Sequence, residues 1–155
     1  MAVQRTSRSG LFLLELMIVI LFFAVTSAIC MNLFVKAHLT STAGSDLTAA
    51  VRETQSAAEW FKAVDGDKDQ LADRLSAHVL EERLDLYFDK DWVRTGEGNA
   101  VSTVSILFGG QRMDLPDGTG VEAPPPIKRD CLGALVIAWS EKGEIFRIPV
   151  EKYPG

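Results

Sequence analysis

One carboxylate stands apart from the other acids of this sequence. Glu15 lies inside the apolar run GLFLLELMIVILFFAVTSAICMNLFV, residues 10–35. An ionised acid among hydrocarbon side chains costs a few kcal/mol unless a counter-charge meets it, so the chemistry this position suggests is charge pairing. The plainer reading is an anchor residue whose carboxylate snorkels to lipid headgroups. Asp65, Asp67 and Asp69 alternate in a way that invites a calcium loop. An EF-hand would need Gly at its sixth position and Glu at its twelfth, where Gln70 and Ser76 stand, so we expect a solvated turn in which an Asp caps the next helix. His78 has no second His or Cys at ligand spacing and reads as a partly exposed helix residue. Glu81-Glu82 and Asp89/Asp91 read as solvated faces rather than acid and base pairs. Gly109-Gly110 and Gly118-x-Gly120 fall in turns with no following helix to hold a phosphate. We therefore expect no catalytic residue, no metal ligand and no cofactor. Cys30 sits within the apolar run and Cys131 in the polar part of the chain, so a bond between them is not expected. Cys131 reads as a buried thiol, an intermolecular bridge or a reactive thiol.

The element that positions Glu15 is a helix long enough to cross a bilayer core, which needs about 20 apolar residues. The leader before it holds Arg5 and Arg8 and no acid, which places the N-terminus in the cytoplasm and the rest outside. A secretory signal begins in the same way, and Thr26-Ser27-Ala28 offers a secondary cleavage point for it. Against this, the apolar run is longer than the 7–15 residues of a signal core.

Gly10-Leu11-Phe12-Leu13-Leu14-Glu15-Leu16-Met17-Ile18-Val19-Ile20, behind a short basic leader, resembles the class III signal of type IV prepilins and type II secretion pseudopilins. The resemblance implies three segments: a cleaved leader (1–10), a transmembrane and filament-core helix (11–35) and an extracytoplasmic pilin-like domain (36–155). It implies cleavage between Gly10 and Leu11 by a prepilin peptidase, N-methylation of Leu11, and pairing of Glu15 with the Leu11 amine of a neighbouring subunit. Its implied partners are other pilin or pseudopilin subunits, an inner-membrane assembly platform and, before assembly, membrane lipid. The implied product is a pilus, secretion or competence filament, periplasmic or at the cell surface. Phe12 stands where the family usually has Thr or Ser. Asn32 stands where major pilins carry a helix-breaking Pro, and this uninterrupted anchor is most similar to minor pilins and minor pseudopilins. The stretch Tyr87 to Trp92 and the C-terminal hairpin are similar to small pilin-like proteins of Gram-positive bacteria. Without the resemblance, the same residues describe a single-pass anchored protein that binds a partner and never polymerises.

Beyond Val35 about 120 residues remain, enough for one small domain with a modest core. They hold 14 Lys and Arg against 20 Asp and Glu, a net charge of −6, which argues against nucleic-acid binding and a polybasic lipid patch. Leu47, Val51, Ala58 and Phe61 recur at helical spacing, extending the anchor helix over 36–64 with a kink or a restart at Gly44-Ser45-Asp46, the kink preferred. Gly66 is the expected C-terminal cap. The stripe Leu71, Leu75, Val79, Leu80 predicts a second helix over 68–84. Strands are expected at Leu84–Phe88, at Ala100–Phe108 with Val104, Ile106 and Phe108 on its buried face, and as a hairpin of Gly133–Ser140 with Glu144–Val150. Pro149 belongs on an edge or at a strand's end. Residues 111–130 read as a Gly- and Pro-rich loop with an extended polyproline segment. Trp60, Trp92 and Trp139 serve either the core or a partner patch. The fold class is α+β, a long N-terminal helix packed on a small antiparallel sheet.

Overall fold

The computed structural model describes residues 8–80, 83–125 and 132–153. Cys131, the Glu81-Glu82 pair, Pro126 and most of the leader lie outside them. The chain divides into two compact units at Ala43/Gly44.

Helix α1 (Arg8–Ala63) crosses that division as one assigned helix, without a restart at Ser45 or Asp46. No Pro interrupts it, and Thr48 spends its hydroxyl on the Gly44 carbonyl (2.9 Å), so Gly44 is accommodated within the helix. The helix ends where Asp65 (φ 53°) and Gly66 (φ 71°) turn left-handed and the Gly66 N–H returns to the Phe61 carbonyl (2.9 Å). Asp65, not Gly66, thus takes the first left-handed position. Gly66 is still required, since a Cβ there would stand 2.9 Å from Leu132 Cδ1 as well as demanding positive φ.

Helix α2 (Lys68–Leu75) starts at Asp67, whose Oδ1 accepts the N–H groups of Asp69 and Gln70, both at 3.0 Å. It stops nine residues short of the expected end. Ser76 adopts the left-handed conformation (φ 48°, ψ 43°) and the Ala77 N–H closes on the Ala72 carbonyl at 2.9 Å. The rest of the presumed helix becomes strand β1 (His78–Leu80), antiparallel to β2 (Arg83–Phe88). Leu71 and Leu75 are buried while Val79 and Leu80 are exposed, so the apolar stripe served a helix only over its first half. His78 accordingly sits on a strand, its ring edge-on to Tyr87 at 5.3 Å.

The sheet continues with β3 (Ser102–Phe108), then β4 (Arg112–Asp114) and β5 (Gly120–Glu122) as a separate ribbon, then β6 (Leu132–Ser140) and β7 (Gly143–Lys152). Five strands pair antiparallel in the order β1-β2-β3-β6-β7, which leaves Pro149 on an edge strand, where its missing N–H is tolerated. One face carries Leu84, Leu86, Val104, Ile106 and Val136 against Ala50, Ala57 and Phe61 of α1 and Leu71 of α2. The expected half-buried β3 is instead buried on both faces. Leu107, Leu135 and Ile137 point the other way and meet Met113, Leu115, Val121 and Ala123, supplied by the ribbon within the presumed loop. Trp92 packs in the first core and Trp139 against the second, while Trp60 stays 38% exposed under the Arg74 guanidinium.

Candidate functional site

Gly10, Leu11 and Glu15 lie in the first turns of α1. Every residue from Leu11 to Ala43 is exposed, and the helix is long and apolar enough to cross a membrane. On a helix the neighbours of Glu15 are the residues three and four places away. These are Leu11, Phe12, Ile18 and Val19, all apolar. Two other polar side chains of this segment donate to their own backbone: Thr26 Oγ1 to the Phe22 carbonyl (2.8 Å), and Asn32 Nδ2 to the Ala28 carbonyl (3.1 Å). An ionised carboxylate only accepts, and a helix wall offers only acceptors. Among the residues three and four places away on its own helix Glu15 therefore has no side-chain donor.

Two of the three alternating acids just after α1 have partners within the protein. Asp67 caps α2 and also accepts from Gln70 Nε2 at 3.1 Å, while Asp65 Oδ1 lies 3.1 Å from Lys152 Nζ. Among the described residues no cluster of three or more His, Cys, Asp or Glu could hold a metal ion. An open groove of about 910 Å³ runs past Lys68, Arg83 and Arg112 over Leu80 and Phe108. Its Gly109-Gly110 turn offers no cradle for an anion, because both N–H groups are used by the carbonyls of Gly133 and Ala123. Protein-family models, curated proteins and solved structures contain no match to this chain.

One titratable group was not legible in the sequence. Asp85 lies on β2 between Leu84 and Leu86, which pack toward α1, and is only 1% exposed. Arg83 Nε reaches its Oδ2 at 3.1 Å, and Oδ1 has no hydrogen-bond partner among the described residues. Ser105 stands directly opposite on β3 and accepts the Trp139 indole N–H at 2.9 Å. Burial pushes the Asp85 carboxyl above the usual carboxylate range, against the pull of Ser105 and Arg83. Burial, then the Asp85 charge, pushes the Tyr87 phenol up as well. No local pattern marks Asp85, since what buries it comes from distant strands.

Because the folded pKa of Asp85 lies above its unfolded value, ionisation opposes folding. Its contribution is fully present in acid, below the unfolded value, and is lost as pH rises through the folded value. Asp85→Asn is expected to flatten that part of the stability–pH profile and to match or exceed the parent at pH 7. The Arg83 side chain, 35% exposed, can turn to water once its partner is neutral. Thermal midpoints of the full chain in detergent between pH 4 and 8 check this, and a variant that keeps the parent's slope refutes it.

Proposed function

We propose that this protein is a structural subunit, a minor pilin or pseudopilin, of a type IV pilus, type II secretion or competence filament. Glu15 carries the reading: a carboxylate in the exposed apolar first half of α1 whose neighbours three and four residues away are all apolar. Cleavage after Gly10 would create a donor of the required kind, the Leu11 α-amine. That amine lies about 6 Å along the axis from Glu15, near enough for its own carboxylate and, after a small axial shift, for a neighbour's. In the water-poor interior of a helix bundle an unpaired carboxylate is far more costly than a paired one, so misdocking is penalised more than docking is rewarded. The α+β unit that follows would then form the outer surface of the filament. Its two-sided core fits a domain that keeps its shape while the helix leaves lipid for protein.

Cleavage is the experiment. Mass spectrometry of the mature chain is expected to show loss of residues 1–10 and a methylated Leu11. In Gly10→Arg, the bulk beside the scissile bond should keep essentially all of the chain at precursor size in the membrane. An intact leader on the parent protein would favour a non-polymerising anchored protein, and a start beyond Ala28 a secreted one.

A further inference from the structure

Strand β1 covers the edge of β2 only as far as Asp85, and Tyr87 and Phe88 run past it. Their edge is taken by the loop after β2: the Thr95 N–H donates to the Tyr87 carbonyl at 3.0 Å, and Arg94 forms a bridge with Phe88. Between that loop and the end of α2 lies a pocket of about 370 Å³, lined by Leu75, Ser76, His78, Tyr87, Arg94 and Thr95. Its size falls at the low end for small-molecule sites. No carboxylate stands among these lining residues.

Arg94 is held in position at this wall. Its Nη1 donates to the Leu75 carbonyl at 2.7 Å, and the guanidinium lies over the Phe88 ring, 5.0 Å from the centroid. A guanidinium has five N–H donors, so several remain for a ligand. Arg94 belongs to no ion pair among the described residues, and burial lowers its pKa while the Glu53 charge pulls the other way. A second donor is also unspent. Tyr87 is 8% exposed, and its hydroxyl makes no hydrogen bond among the described residues yet is not sealed from solvent. The Ser76 and Thr95 hydroxyls and the His78 ring make no hydrogen bond there either.

We propose that this pocket binds a small carboxylate, Arg94 meeting its charge and the Tyr87 hydroxyl donating to one of its oxygens. A partly desolvated cation with no acid in contact gains from a counter-charge, and the planar guanidinium fork matches the two oxygens of a carboxylate. Burial, and after it the charges of Asp85 and Glu97, push the Tyr87 phenol up, which keeps it protonated as a donor. Those same two charges oppose a second negative charge on the ligand, so a carboxylate fits better than a phosphate. The pocket lies wholly within the outer unit, and the proposal does not depend on the subunit reading.

The sequence provides its own probe, because it holds two histidines, His38 in α1 and His78 in the pocket wall. In the full chain in detergent, with histidine ring carbons labelled, an NMR titration with sodium acetate at pH 7 and constant ionic strength is expected to shift the His78 signal saturably and leave His38 in place. Tyr87→Phe, which removes a hydroxyl that the described residues do not use, should raise the half-saturation concentration several-fold, and Arg94→Gln should abolish saturation. Sodium chloride should give no saturable shift and sodium phosphate a weaker one. Because Arg94 also holds the end of α2, Tyr87→Phe decides the point if Arg94→Gln lowers the thermal midpoint. An unmoved His78, a shift that chloride reproduces, or a Tyr87→Phe titration superimposable on the parent's overturns the proposal. Phosphate binding as tight as acetate overturns the carboxylate assignment.

Discussion

Glu15→Leu is expected to leave leader cleavage and membrane insertion intact while lowering incorporation into filaments by roughly two orders of magnitude. The substitution makes α1 more apolar, so on the proposed subunit reading the free chain would lose nothing it needs in lipid. The loss falls on assembly, where the neighbour's Leu11 amine would be desolvated without its counter-charge. Removing one partner of a buried ion pair costs about 3–5 kcal/mol, and each 1.4 kcal/mol is tenfold in an equilibrium. Glu15→Gln keeps size and an acceptor but not charge, and should fall between Leu and the parent. The measurement is the ratio of mutant to parent chain in sheared filament fractions at matched membrane levels. Equal ratios would remove the pairing role from Glu15 and return it to an anchor residue at the headgroups.

Phe61→Ala is expected to destabilise the outer unit by about 3–5 kcal/mol, the range for truncating a buried aromatic, out of a total that for such domains is about 5–15 kcal/mol. Phe61 is fully buried on the last turns of α1. Its ring lies 6.2 Å from that of Phe108 on β3 and packs under the Gly66 turn. The side chain therefore joins the end of the long helix, the turn that stops it and the sheet, and its loss leaves a cavity all three border. Denaturant titration of the full chain in detergent, with protease sensitivity of the outer unit as a second readout, checks the magnitude. Trp60, one residue earlier and 38% exposed, is the contrast: Trp60→Ala should cost much less. Comparable losses at the two positions would mean that the buried face of α1 is assigned wrongly.

The two predictions concern opposite ends of one helix. The same backbone geometry carries an exposed apolar surface at one end and part of a packed core at the other, and only the side-chain pattern changes along its length.

What the amino-acid order determined by itself is what depends on neighbours within a turn or a strand. The apolar run with its single acid, the absence of a helix breaker, the Asp67 cap and the β6–β7 hairpin rest on local spacing, and the α+β layout follows from their order along the chain. What only the tertiary structure decided depends on partners distant in sequence. The stripe from Leu71 to Leu80 suits a helix as well as a short helix followed by a strand. The choice fell to β2, whose Leu84 and Arg83 take Val79 and Leu80 as pairing partners. The second core, behind β3, exists because a Gly- and Pro-rich segment folds into a ribbon carrying Met113 and Val121 onto Leu107 and Ile137. Alternation along β3 tells which residues share a face, but not that a later segment returns to cover it. Asp85 is buried for the same kind of reason: a polar residue in an alternating strand signals solvent only when nothing else in the fold comes to lie over that face.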